Sequence, residues 1–191
     1  MRAIYLASGY PNAPFLEATV RPLCHLAGLD VCSSWHIGAR GPERLADMLL
    51  EVVRGIAAGN DLELVEADGV LVVDAGATLG GARVTWFDTD SRFTCALVPG
   101  RETYAELRTA VAHGIPVAYA GPNPPLSAYR EGVVRFTDVR DAVAWLGHNV
   151  TVRPAIDSAS AVSKIMAECL RWAEALRSLS FKKRESGEGG S

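Results

Sequence analysis

The sequence predicts an α/β fold: a flavodoxin-like or Rossmann-like five-stranded parallel sheet with helices on both faces, plus a long C-terminal helix. Short apolar runs alternate with stretches of helical apolar spacing along the chain, the pattern of repeated βαβ units. One run, Gly69-Val70-Leu71-Val72-Val73-Asp74, is continuous and β-branched, as a strand covered on both faces requires. The runs end in breakers such as Ser8-Gly9-Tyr10-Pro11-Asn12 and Gly121-Pro122-Asn123-Pro124-Pro125, so loops follow the strands.

Taken in order, Ala3-Ile4-Tyr5-Leu6-Ala7 is the first strand. Leu16, Val20, Leu23 and Ala27 mark a helix from Pro14 to Leu26, with Pro22 set to kink it and Gly28 to cap it. Leu29 to Trp35 reads as the second strand. Pro42 opens a helix with Leu45, Met48, Leu49, Val52 and Ile56 on one face and a break at Ala58-Gly59-Asn60, followed by a last turn over Asp61 to Asp68. The buried run 69–74 is the third strand. Residues 75–99 form an inserted hairpin, with Val84-Thr85-Trp86-Phe87 and Phe93-Thr94-Cys95-Ala96-Leu97 pairing around Asp88-Thr89-Asp90. A helix over Thr103 to His113 leads through Gly114-Ile115-Pro116 into the fourth strand, Val117 to Ala120. Val133 to Phe136 is the fifth, and Asp138 caps a helix through Leu146. After Pro154, the face Ala161, Ile165, Cys169, Trp172, Leu176 and Leu179 makes the long amphipathic helix, which packs on its own sheet or on a neighbouring subunit. Residues 1–181 thus make one domain, and 182–191 a disordered tail.

The 191 residues are 49% hydrophobic and 21% charged, ordinary for a globular chain. Nineteen basic residues against twenty-two acidic ones leave a formal charge of −3, which gives no field for a nucleic acid polymer or an anionic membrane. No apolar run approaches the roughly 20 residues that span a bilayer. Cys24, Cys32, Cys95 and Cys169 show no CxxC pairing and sit among apolar neighbours without a secretory leader, so they are expected to be reduced core residues of a cytoplasmic protein. His25, His36, His113 and His148 lack ligand spacing, so no metal is expected. Neither GxGxxG nor GxxxxGK[ST] occurs, which excludes dinucleotide or triphosphate binding through a glycine-rich loop, and no cofactor is expected.

In such a sheet, ligands collect at the carboxyl ends of the strands. Those positions hold Tyr5 to Tyr10, Ser33 to His36, Asp74, and Gly121 to Asn123, a set rich in carboxylates and tyrosines. The opening Ile4 to Tyr10 resembles the "YLAGPY" strand and loop of the nucleoside 2-deoxyribosyltransferase family and its nucleotide N-hydrolase relatives. Gly28 to Trp35 is similar to that family's "GHEVVSRW" segment, and Asp61 to Val73 to its "DLxxIxxADxLVV". Ala105 to Val117 resembles the "xELGYAxAxGKPV" helix. Together the four cover residues 3–121 in the family's order.

The resemblance implies that Glu106 is the nucleophile, Tyr5 the hydroxyl that orients it, and Asp61 the carboxylate that assists protonation of the leaving base. It further implies that Ser8, Gly9, Tyr10, Trp35, Arg101, Glu102, Thr103 and Asn123 bind substrate, a nucleoside or nucleotide, and that the protein is a homo-oligomer whose neighbours complete each other's sites. The chemistry fits. Breaking a C1′–N bond builds positive charge on the sugar, which a carboxylate on one face stabilises or traps as an ester. Transfer of deoxyribose to another base is the leading expectation, hydrolysis the alternative, and a catalytically silent nucleotide-binding domain the rival. Arg108-Thr109 replaces the family's Gly-Tyr or Gly-Trp, and a long side chain there is expected to crowd the helix against its strand. In the loop Gly100-Arg101-Glu102-Thr103, only Thr103 matches the phosphate-holding segment of the hydrolases, with Arg101 available to take over. Simpler roles stand beside these: Glu106 as a solvated helix residue with Glu102 as the fallback nucleophile, Asp61 as an N-cap for 62–67, Tyr5 and Trp35 as core, and Asp68 as a turn residue.

Overall fold

The computed structural model describes residues 1–36, 50–88 and 93–153. The expected long C-terminal helix, the tail and the start of the helix opened by Pro42 lie outside them. Among the described residues, nine strands follow in chain order: β1 (Arg2–Ser8), β2 (Leu29–Val31), β3 (Gly69–Val73), β4 (Thr78–Leu79), β5 (Ala82–Arg83), β6 (Thr85–Asp88), β7 (Phe93–Ala96), β8 (Val117–Ala120) and β9 (Val133–Phe136). The helices are α1 (Ala13–Phe15), α2 (Arg21–Leu26), α3 (Leu50–Glu66), α4 (Arg101–Ala112) and α5 (Val139–Asn149). Five strands pair in parallel in the order β2-β1-β3-β8-β9. Counted along that sheet, this is the 2-1-3-4-5 order of a doubly wound fold, whose switch point lies between β1 and β3.

Alternation along the strands sorts the core onto two faces. Ile4 and Leu6 of β1 pack with Leu71, Val73, Ala118 and Ala120 beneath α2 and α5. Tyr5 and Ala7 point the other way, with Val70, Val72, Val117 and Tyr119, against Leu64 of α3 and Leu107 and Ala110 of α4. Ile4 to Ala7 and Val70 to Val73 are fully buried, which explains their unbroken apolar character.

The distortion expected at Pro22 takes the form of a π-helical turn, Leu16–Val20, just before it, which accommodates the missing N–H and ring of the proline. Three local expectations differ from what is observed. β2 ends at Val31, not at Trp35, because side chains take over its pairing. Cys32 N still donates to Ile4 O at 3.0 Å, after which Leu6 N donates to Ser33 Oγ at 3.0 Å and Trp35 Nε1 to Leu6 O at 2.7 Å. α3 runs unbroken through Ala58-Gly59-Asn60. Gly59 faces open space and costs about 1 kcal/mol against alanine, which the buried Leu64 and Val65 offset. Asp61 therefore lies inside a helix, and the N-cap reading is corrected. Finally, segment 75–99 holds two antiparallel hairpins, not one: β4 with β5, and β6 with β7. The first turns on Gly80-Gly81, with φ of +62° and +79°, a two-residue connection that glycine pairs favour.

Asp138 caps α5 as expected, accepting from Arg140 N at 2.9 Å. It also accepts from Gly81 N at 2.8 Å and Thr78 Oγ1 at 2.9 Å, tying the β4–β5 hairpin to the sheet. Asp68 holds the far end of β1, accepting from Ala3 N at 2.7 Å and Arg153 N at 2.5 Å. No helix among the described residues is long and apolar enough to cross a membrane.

Candidate active site

The interior strand β1 carries Tyr5 toward α4. Its ring is fully buried, and its hydroxyl donates to Glu106 Oε1 at 2.7 Å, joining residues 101 positions apart. Burial is the main cause that raises the Tyr5 pKa; the charge and hydrogen bond of Glu106 add to it, then the charges of Glu63 and Asp61. The phenol therefore stays protonated and acts as a donor. Held by one oxygen, the Glu106 carboxylate keeps a fixed orientation. Glu106 is half-buried at the edge of the strand ends, neither core nor fully solvated. Asp61 is exposed on α3, within electrostatic reach of the Tyr5 hydroxyl. Tyr5 and Glu106 are thus brought into contact, while Asp61 acts on them through its charge.

Glu63, which sequence reasoning missed, joins them. Ser34 N donates to its Oε2 at 2.9 Å and Ser34 Oγ to its Oε1 at 2.6 Å. The charges of three carboxylates, Glu106, Glu63 and Asp61, reach one phenol and make its surroundings negative, a field that suits a developing cation. Trp35 is half-buried, and the exposed ring of Tyr10 lies 6.5 Å from it between centroids.

A buried relay fixes the Trp35 loop. Ser33 Oγ lies 3.1 Å from His36 Nε2, and His36 Nδ1 lies 3.0 Å from Glu17 Oε2. Since Leu6 N already donates to Ser33 Oγ, the serine proton points at Nε2, and Nδ1–H faces Glu17. Burial, the largest influence, holds the His36 pKa below its ordinary value near 6.5 despite Glu17. The unfolded chain thus takes up the proton first as pH falls. Stability from His36 is complete above about pH 6.5 and is lost as pH drops toward the depressed value. His36→Gln should flatten that slope in denaturant titrations between about pH 5 and 7; an unchanged slope would assign it elsewhere.

On the other side of the site, two loops meet at the start of α4. Ser8 Oγ donates to Val73 O at 2.6 Å and accepts from Asn12 Nδ2 at 2.8 Å, so the serine hydroxyl is engaged within the fold. Asn12 is fully buried; its Nδ2 also donates to Val98 O at 2.8 Å and its Oδ1 accepts from Val98 N at 3.0 Å. This side chain stitches the loop after β1 to the loop before α4. Sequence reading took Asn12 for a turn residue, and only the distance to Val98 reveals the second job. A Cβ on Gly9 would come within 2.8 Å of Val98 O, and one on Gly100 within 2.6 Å of Gly9 Cα and 2.4 Å of Thr103 Oγ1. Gly100 caps α4 without a side-chain bond, so the backbone N–H groups of the first turn are not satisfied by a cap. Thr103 is fully buried, and its Oγ1 has no hydrogen-bond partner among the described residues. A helix N-terminus with such a hydroxyl favours an anion. The side chains of Arg101 and Glu102 lie outside the described residues.

Asn123 stands exposed after β8, where its carbonyl accepts from Tyr119 Oη at 3.3 Å. Arg108 does not crowd the helix: it is exposed, and its Nε turns back to Tyr104 O at 3.3 Å. Cys24 is buried, and that burial pushes its thiol up to about 12, so it is an inert core group. A cavity of about 770 Å³ lies at the other end of the sheet, among Val111, Pro116, Arg130, Val133, Trp145 and Asn149, before β8 and β9 begin. Doubly wound sheets do their chemistry at the opposite, carboxyl edge. No protein-family model matches the chain, and no curated protein shows significant similarity to it.

Proposed function

We propose that this chain is a nucleoside 2-deoxyribosyltransferase-like enzyme that cleaves the N-glycosidic bond of 2′-deoxynucleosides. The observation that carries the reading is the 2.7 Å bond from the buried hydroxyl of Tyr5, in β1, to Glu106 of α4. A carboxylate oxygen of Glu106 attacks C1′ as the C1′–N bond breaks, and the bonding pair leaves with the base. The base takes a proton from Asp61 or from a water that Asp61 positions. In the second half, a ring nitrogen of an acceptor base attacks C1′, loses its proton, and releases the Glu106 carboxylate. Glu63 stabilises the positive charge that the sugar carries in both halves, and Asp61 adds to it whenever it is ionised. The rings of Tyr10 and Trp35 offer the base a flat face. Negative surroundings suit a 2-deoxy sugar, which lacks the electron-withdrawing hydroxyl and ionises more readily.

Hydrolysis of a deoxynucleoside 5′-monophosphate is the second reading, and the buried, unpartnered Thr103 Oγ1 at the uncapped start of α4 favours it. A phosphate there would accept from that hydroxyl and from the helix N–H groups. Chromatography of released bases separates the readings. Deoxynucleosides that exchange base only when an acceptor is added identify a transferase, and monophosphates that release base without one identify a hydrolase. Binding of these substrates with no base release overturns both and leaves a nucleotide-binding domain. A homo-oligomeric state and a cytoplasmic location belong to the same reading.

A further inference from the structure

The helix that carries Glu106 is held to the sheet by a second phenol–carboxylate bond of opposite polarity. In the first bond the strand supplies the phenol, Tyr5, and the helix the carboxylate, Glu106. In the second the helix supplies the phenol: Tyr104 Oη donates to Asp74 Oδ2 at 3.1 Å, just past the end of β3. Residues two apart on an α-helix project about 200° from each other. The two bonds therefore grip α4 from nearly opposite sides. Between them the core-facing residues are small or apolar: Thr103, Leu107 and Ala110, all fully buried. Such packing is non-directional and resists separation better than it resists a roll about the helix axis. The N-cap residue, Gly100, has no side chain with which to oppose that roll.

Asp74 is built as a rigid anchor. It is 4% exposed, its Oδ1 accepts from Ala75 N at 2.7 Å, and its Oδ2 also accepts from Tyr119 Oη at 2.5 Å. Burial, followed by the Asp74 charge and hydrogen bond, raises the pKa of Tyr104; Tyr119 is raised as well, so both phenols remain donors. The carboxylate is fixed by its own loop and by β8 before the helix reaches it.

We propose that Tyr104 and Asp74 are positioning residues that set the rotation of α4 and thereby hold Glu106 at the Tyr5 hydroxyl. The proposal rests on Glu106 acting as the nucleophile, and misplacing that carboxylate by a fraction of its reach slows attack on C1′ without changing how a nucleoside binds. Tyr104→Phe and Asp74→Asn should each lower kcat for base release by about ten- to a hundredfold, with KM within about twofold. Arg108→Ala, on the same helix but exposed, should leave both within about twofold.

A second measurement does not depend on turnover. In protein labelled with ¹³C at the glutamate carboxyls, with Glu106→Gln assigning the signal, Tyr104→Phe and Asp74→Asn should raise the titration midpoint of Glu106 by about half a pH unit or more, because a donor to its charged form has been loosened. Folded variants with unchanged kcat and an unmoved Glu106 titration overturn the proposal, even if their melting temperatures fall. If the wild-type protein releases no base, the proposed function fails; the titration then decides alone whether Tyr104 and Asp74 hold Glu106.

Discussion

Glu106→Ala should reduce base release by at least about a thousandfold while the circular dichroism spectrum and melting temperature stay near those of the wild type. The fold does not depend on this side chain: α4 is held to the sheet by Leu107 and Ala110, both fully buried, while Glu106 is only half-buried. The chemistry depends on it wholly, since Glu106 Oε1 is the carboxylate oxygen that the Tyr5 hydroxyl holds at 2.7 Å. Tyr5→Phe removes the orienting donor but keeps the nucleophile, so its loss should be smaller, about ten- to a hundredfold in kcat. A 2-deoxy-2-fluoro nucleoside, whose sugar ester turns over slowly, should label the wild-type protein at Glu106, as mass spectrometry of the digested protein would show. Label on Glu102, or full activity in Glu106→Ala, would move the nucleophile one turn toward the start of α4.

The second large effect belongs to a glycine. Gly100→Ala places a methyl group 2.4 Å from Thr103 Oγ1 and 2.6 Å from Gly9 Cα, and the latter is backbone that cannot rotate away. The two loops have to part. Overpacking of this kind costs about 1–3 kcal/mol, which for a chain of this size lowers the melting temperature by roughly 3–10 °C. Because the strain falls on the uncapped start of α4, base release from 5′-monophosphates should suffer more than release from nucleosides. Equal losses on both substrates would remove the phosphate subsite from consideration. Gly59→Ala is the counterpart: it lies inside α3 with nothing within 4 Å of the added carbon and should stabilise by up to about 1 kcal/mol.

The parts of the site that could be read in advance are those that local pattern reports. Tyr5 is legible as a hydroxyl in an apolar strand, where core packing is the simpler role, and local pattern alone makes Glu106 a solvated helix residue. The catalytic role of Glu106 and its meeting with Tyr5 are expectations drawn from resemblance. Asp74 is visible only as a residue at a strand end, and Tyr104 only as a residue of the helix over Thr103 to His113. Nothing in the spacing of residues 74, 104 and 119 announces that one carboxylate serves two phenols. Arg108 misled for a related reason. Its length suggested a clash, but the rotation of α4 turns it outward to solvent, and rotation is set by which residues the sheet receives.

By itself the sequence determined the elements: β-branched runs that can only be buried strands, amphipathic stretches that must cross over them, Gly28 in the left-handed region, with φ of +72°, after α2, and Asp138 at the start of α5. These follow from side-chain shape and backbone preference, which act over a few residues. Tertiary structure alone decided where β2 stops, since Ser33 and Trp35 complete the edge of β1 only when that strand lies beside them. It also decided that Tyr5 reaches Glu106 and that Tyr104 reaches Asp74. A hydrogen bond has a range of about 3 Å, so a pair far apart in the chain is made or missed by strand order, register and helix rotation together, and no local signal encodes all three.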